Sequence, residues 1–404
     1  MDTAAHGPWC PRRLPNRPPS RLSRVQRRAL ARRELRPRLP RLRKGRRRGL
    51  RAPGGPAVRE PLSGLLRAAS RPGGLFENAT VRSHPRTSAE RGAAPKVVAA
   101  VDAGANSVHL LAAVVSGHRL QPLLDESVFL GLGDAAEEGS FGPEVRGRFV
   151  ASLVAYADAG RRLGAAAIAF VGTQPFRRAA DADDARREVE AATGIPLEVL
   201  THEEEAYLTL IGVSGARRLT GELVVVDVGG GSTEVVVHSP GGSPVAVGLR
   251  LGSAQLTRSV VEHDPPLTRE IDELRAQARA SLKDAPDAAG LEIVAVGGTA
   301  TNLLRLIPAA TLDRTLDRRR LEEALATLAV EPAEQVAERH AMNRTRAQIL
   351  PAGAAILEAV LYRYDADLLQ VADASIREGL VLVLARGGHD WRLRIPEFVS
   401  GWTR

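Results

Sequence analysis

Eight consecutive residues, Asp227-Val228-Gly229-Gly230-Gly231-Ser232-Thr233-Glu234, hold the groups that a phosphate site needs. Glycines let the backbone approach a ligand closely and turn its N–H groups toward it, and a strained φ is expected at Gly230. Ser232 and Thr233 add hydroxyl donors, and each charge-assisted bond to a phosphate oxygen contributes roughly 1.5–3 kcal/mol. A carboxylate beside phosphates would repel them, so Asp227 makes chemical sense as a ligand of Mg2+, directly or through water. Three consecutive glycines are a heavy entropic load for a hairpin that only turns the chain.

The stretch Asp102-Ala103-Gly104-Ala105-Asn106-Ser107 repeats the logic, with Asn106 and Ser107 as donors beside Gly104. Two such loops suit one phosphate group gripped from both sides. Gly297-Gly298-Thr299 is a third loop at the carboxyl end of a strand, where ligands of α/β sheets gather. None of the three matches a Walker A loop or a GxGxxG fingerprint. His202-Glu203-Glu204-Glu205 opens a helix. Acidic residues are favoured at a helix N-terminus, and one of them equally well serves as a base for water. His389-Asp390 has no later histidine to complete a metal site.

The elements that must position these residues follow from the apolar runs. Val97 to Val101 is a buried-strand run ending at Asp102, and Val108–Val115 and Leu120–Leu130 continue as a meander. A Gly-rich loop (Gly131, Gly133, Gly139, Gly142) precedes a helix near 143–163; a strand at 165–171, helices near 178–193 and 202–213 and a short strand at 197–200 complete the half. The opening then recurs, with Glu222–Val226 running into Asp227 and Glu234–His238 returning, so the domain is built twice. Helices near 253–262, 268–284, 319–329, 346–363 and 376–385 and strands at 292–296 and 368–372 fill the second half, and the tail after 386 reads as irregular.

The formal net charge of +9 is an average over two unlike parts. Residues 1–95 carry 24 Lys and Arg against 5 Asp and Glu, a net of +19; residues 96–404 carry 32 against 42, a net of −10. The basic part, rich in Arg and Pro, reads as disordered, either as an arm for polyanions or as a segment that is not physiological. The high pI is therefore no argument for nucleic acid as a partner of the globular part. Cys10 is the only cysteine, which excludes a disulfide framework and a cysteine-based zinc site. No apolar run reaches the ~18 residues that cross a bilayer. Without a secretory signal pattern, the expected location is the cytoplasm.

At these residues the sequence resembles the exopolyphosphatase / guanosine pentaphosphate phosphatase (Ppx/GppA) family over about 97–386. Asp227 to Glu234 matches its D-x-G-G-G-S-T-E, and Asp102 to Ser107 is similar to its D-x-G-S-N-S. Thr173 to Ala179 follows its T-x-x-x-R-x-A, Glu203 to Ala206 its E-E-A, Gly297 to Thr299 its G-G-T and Ser375 to Gly379 its L-R-E-G. The resemblance implies an α/β, duplicated actin-like ATPase (ribonuclease H-like) fold of two lobes, about 96–220 and 221–386, in the short form without an extra helical domain. It implies removal of a terminal phosphate from polyphosphate or a guanosine penta- or tetraphosphate, with Glu205 as the base and Glu234 acting beside it. Mg2+ would lie near Asp102, Asp227 and Glu234. Arg177 is an anion clamp or a structural arginine. Ala105, Tyr207 and Arg178 depart from the pattern and bear on substrate preference. A kinase or ATPase of the same superfamily, or a sensor that binds polyphosphate or alarmone without turnover, are the rival readings. No membrane partner is expected, and a homodimer is allowed.

Because the first strand starts near Lys96, deleting residues 1–95 is expected to leave the melting temperature and turnover of a short substrate unchanged. Long polyphosphate at low salt separates the two readings of the segment: an arm speeds encounter and its loss slows turnover, an effect that fades with salt. A truncated protein that melts lower or loses short-substrate turnover would place the segment inside the fold.

Overall fold

A computed structural model describes residues 94–215, 221–288 and 292–402. The expectation for residues 1–95 falls, apart from Ala94 and Pro95, outside them. The first half runs β1 (Lys96–Ala103), β2 (Ser107–Ser116), β3 (Arg119–Phe129), α1 (Leu132–Glu137), α2 (Gly142–Arg162), β4 (Ala167–Gly172), a 3-10 turn (Gln174–Arg177), α3 (Ala182–Thr193), β5 (Leu197–Val199) and α4 (His202–Ser214). The second runs β6 (Leu223–Val228), β7 (Thr233–His238), β8 (Val245–Leu249), α5 (Ser253–Val260), α6 (Thr268–Ser281), β9 (Glu292–Val296), α7 (Gly297–Leu306), α8 (Pro308–Asp313), β10 (Thr315–Asp317), α9 (Arg318–Leu328), α10 (Ala333–Arg339), α11 (Arg344–Arg363), β11 (Leu368–Val371) and α12 (Ile376–Gly387). A last helix, α13 (Ile395–Trp402), follows.

The sheets have the orders β3-β2-β1-β4-β5 and β10-β11-β9-β6-β7-β8. Read from the outer hairpin strand inward, β3-β2-β1-β4-β5 and β8-β7-β6-β9-β11 are the same arrangement, and β10 is an added edge. In each, the meander is antiparallel and the next strand is parallel to the first, as β4 is to β1 and β9 to β6. This is the duplicated actin-like fold. Central strands are continuous apolar runs because both faces are covered. Edge strand β3 is mostly exposed and carries Pro122 beside a register shift, where its missing N–H costs no inner ladder bond.

Helices α4 and α12 lie between the sheets. One apolar core joins Val98, Ala100 and Val171 of the first sheet to Val225, Val236 and Val294 of the second through Leu208 and Ile211 of α4 and Leu380 and Val383 of α12. Their backbones touch: a Cβ on Gly212 would lie 2.2 Å from the Ser375 carbonyl, and one on Gly379 1.8 Å from that of Leu208.

Three sequence expectations are corrected. The Gly-rich stretch after Leu130 holds the short helix α1, entered through Gly131 at φ 67°, because Leu132 and Ala136 are one turn apart and buried. Gly297-Gly298-Thr299 is the first turn of α7 rather than a free loop. The tail is not irregular: Trp391, Ile395, Phe398 and Val399 fall at helical spacing and bury against the core that contains α4 and α12.

Local space sets opposite signs for two glycine substitutions, one at the α4–α12 contact and one in α2. Gly379→Ala forces the backbones apart and is expected to cost about 3 kcal/mol or to prevent folding. Gly147→Ala, at an exposed position of α2 with open space around it, is expected to stabilise by about 0.5–1 kcal/mol. Paired denaturant melts check this; a folded Gly379→Ala protein as stable as its parent sinks the account.

Candidate functional site

Both hairpins are four-residue loops closed by the same bond, Gly104 N–H to Ser107 O at 3.1 Å and Gly229 N–H to Ser232 O at 3.0 Å. They face each other across a cleft of about 490 Å³. A Cβ on Gly230 would lie 3.0 Å from the Asn106 amide and 3.3 Å from Ala105 Cβ; one on Gly231 would lie 2.6 Å from Gln174. No left-handed φ occurs at Gly229, Gly230 or Gly231, so the strain expected at Gly230 is absent. Crowding by Asn106 and Ala105 at Gly230 and by Gln174 at Gly231 is what disfavours side chains there. Gly297 does need to be glycine, with φ +86° and a Cβ position 2.5 Å from Asp227 Oδ1. The first N–H groups of α7 have no intrahelical partner and form the anion-favouring end of that helix.

Asp102, Gly104, Asn106, Ser107, Glu205, Asp227, Gly229, Gly230, Gly231, Ser232, Glu234, Gly297, Gly298 and Thr299 all line the cleft. Two expected residues do not. Thr233 is fully buried, and its hydroxyl donates to the Leu251 carbonyl, so it is no phosphate donor. Arg177 is spent behind the cleft: it pairs with Glu205, donates to Leu200 O at 2.6 Å and lies 3.2 Å from His202 Nδ1. These bonds tie it to the protein's own groups, and it does not line the cleft.

The three glutamates of α4 separate by role. Glu204 closes a capping box with Thr201, and Arg392 of the tail pairs with both its oxygens at 2.7 and 2.9 Å. Glu203 is exposed. Glu205, one residue on, turns inward and is 7% exposed. Burial, with the Glu234 carboxylate adding to it, raises its proton affinity well above the usual carboxylate range, although Arg177 pulls the other way.

Asp102 and Asp227 end β1 and β6. Burial pushes Asp102 up to about 6 and Asp227 to about 7; Glu234 adds to both, and Arg377 opposes. Asp102 Oδ1 is buried without a hydrogen-bond partner among the described residues. An orphaned carboxylate oxygen among oxygen donors fits a hard divalent cation. Among the described residues, ligand atoms lie within 4.8 Å of one another in two groups, His202–Glu205–Glu234 and Glu262–His263–Glu270. Asp102 and Asp227 stand outside both.

Sequence reasoning missed several lining or neighbouring groups. Arg377, Arg346 and Arg305 line the cleft; Arg377 pairs with Asp125 at 2.6 Å and Arg346 donates to Ser107 Oγ at 3.3 Å. Arg377 sits in a quoted motif, whereas Arg346 and Arg305 carry no local signal. Seven carboxylates against three guanidiniums line the cleft, a balance that repels a polyanion unless cations bind with it. His202 Nδ1 lies 2.8 Å from Glu234 Oε1.

A family model described as the Ppx/GppA phosphatase family matches residues 110–386. Exopolyphosphatase 1 of Mycobacterium tuberculosis is 30% identical over 302 residues, which cover 70% of this chain and 86% of that protein. The guanosine-5'-triphosphate,3'-diphosphate pyrophosphatase of Vibrio campbellii is 25% identical over 298 residues, 72% of this chain and 60% of that one. The crystal structure of the Aquifex aeolicus Ppx/GppA family member superimposes with a TM-score of 0.65 at 26% identity, over 73% of this chain and all of that one.

The half-buried aspartates generate a stability prediction. A carboxyl whose folded-state value lies above its unfolded one favours the fold only while protonated. For Asp227 that contribution is complete below about pH 4 and lost as pH rises through about 7, on the order of 4 kcal/mol. In chelator, Asp227→Asn is therefore expected to melt with its parent near pH 4 and roughly 5–10 °C above it at pH 8. Added Mg2+ should raise the parent's melting temperature at pH 8 and leave the variant's unchanged. Parallel melting curves at the two pH values would sink the reading of Asp227 as a carboxyl of raised proton affinity.

Proposed function

This chain belongs to the Ppx/GppA phosphatase family, and on that premise we propose that it hydrolyses the terminal phosphoanhydride bond of inorganic polyphosphate or of a guanosine pentaphosphate. The observation that carries the reading is the convergence of two glycine hairpins on a cleft into which Glu205 projects. Such chemistry is mainly positioning and electrostatic stabilisation.

The loops at 104–107 and 229–232 cradle the terminal phosphoryl group between them, and the N-terminus of α7 adds donors from the side. Arg377, Arg346 and Arg305 hold the phosphates that follow. Glu205 accepts a proton from water as the water oxygen bonds to phosphorus, and the bond to the bridging oxygen breaks. The products are inorganic phosphate and a substrate shorter by one phosphate. Burial that raises the proton affinity of Glu205 makes it a stronger base than an ordinary carboxylate. Asp102, Asp227 and Glu234 are the residues that would hold Mg2+, whose charge offsets the carboxylates and the charge developing on the phosphoryl oxygens.

The proposed organisation is a basic segment at 1–95, lobes at 96–220 and 221–386 that close on the substrate, and a tail at 387–404. No helix of the described residues is long and apolar enough to cross a membrane. We place the enzyme in the cytoplasm, acting on a phosphate polyanion and free to pair with a second copy.

The test is release of inorganic phosphate with polyphosphate and guanosine pentaphosphate side by side. Glu205→Gln keeps the shape but cannot take a proton. It is expected to slow turnover by about 10²–10⁴ while substrate still binds. Turnover within threefold of the parent would remove Glu205 as the base.

A further inference from the structure

We infer that His202 is a positioning residue for this reaction, fixing Glu234 of β7 against Glu205 of α4. The inference rests on the hydrolytic reading above. His202 opens α4 and lies three residues before Glu205, so both project from one helix face. Its Nδ1 is 2.8 Å from Glu234 Oε1, and that glutamate is 5% exposed. Arg177 closes the other side: Nη2 lies 3.2 and 3.3 Å from the two ring nitrogens, while Nη1 meets Glu205. One imidazole and one guanidinium thus tie together two carboxylates that repel each other.

The half-buried ring packs directly against β8. Glu234 pairs across the β7–β8 ladder with Gly248, and a Cβ on Gly248 would lie 2.2 Å from His202 Cγ. The missing side chain of β8 is the space that the imidazole fills, directly beside Glu234. Helix α4 is thereby keyed into the second sheet at β7, the strand that carries Glu234. Displacing a catalytic group by about 1 Å costs on the order of 10²-fold in rate, and loss of a partner that orients such a group typically costs about 10–100-fold.

Steady-state phosphate release on the full chain tests this. His202→Ala is expected to lower kcat by about 10–100-fold with KM within about threefold, since neither phosphate loop is touched. His202→Asn, whose amide reaches where Nδ1 stands, should recover at least about tenfold of that loss where His202→Ala costs it in full. Gly248→Ala alters no hydrogen-bonding group yet evicts the ring, so it should reproduce His202→Ala; placed in the His202→Ala background it should cost less than about threefold more. A His202→Ala protein with kcat within threefold of the parent, or a Gly248→Ala penalty equal in both backgrounds, overturns the inference. So does a loss that Asn does not rescue. A parent that releases no phosphate from either substrate sinks the hydrolytic reading and this inference with it, whereas an active parent with unaffected variants sinks the inference alone.

Discussion

The closeness of two helix backbones is the constraint on which the rest of this protein depends. Gly212 and Gly379 let α4 and α12 meet at distances that no Cβ allows, and both sheets then bury a face against the pair. Each helix presents its N-terminal end to the cleft, Glu205 from one and Arg377 with Glu378 from the other. The proposed base and the arginine opposite it are therefore set by the packing of one helix pair. The hairpins enter from the sheets on either side.

Duplication built the cleft, and the two copies have diverged where chemistry is asymmetric. Asp102 faces His109 across its hairpin and Asp227 faces Glu234 across the other. Burial, with Arg377 and Arg346 nearby, pushes His109 down to about 4, so this position stays neutral where its counterpart is a carboxylate. The strand after each hairpin diverges as well. β9 runs straight into α7 and its donor-rich first turn, whereas β4 leads to a 3-10 turn that brings Gln174 against Gly231. One copy supplies helix N–H groups, and the other supplies the wall that keeps the opposing loop free of side chains.

The same cleft is a source of instability. Three of its carboxylates, buried Glu205 and half-buried Asp102 and Asp227, have raised proton affinity, a state that a fold selected for stability alone would replace. The cost is tolerable because the apolar core around α4 and α12 is continuous.

The sequence by itself determined the parts that depend on local pattern. A continuous apolar run ending in Asp and followed by Gly and Ser reads as a buried strand feeding a tight loop, so both hairpins and their duplication were legible at Asp102 and Asp227, while the reaction class came with the family resemblance that those motifs carry. The tertiary structure decided what depends on neighbours distant in sequence. It separated Glu205 from Glu203 and Glu204, because a capping bond to Thr201 and the reach of Arg392 occupy Glu204 and leave the next residue to turn inward. It withdrew Thr233 and Arg177 from the phosphate, because Leu251 and Glu205 claim their donors first. It brought in His202, Arg305 and Arg346, and it made a helix of a tail whose few apolar residues acquire meaning only against α4. A side chain's type is written in the chain, but the partner that uses its donors or its charge is chosen by packing.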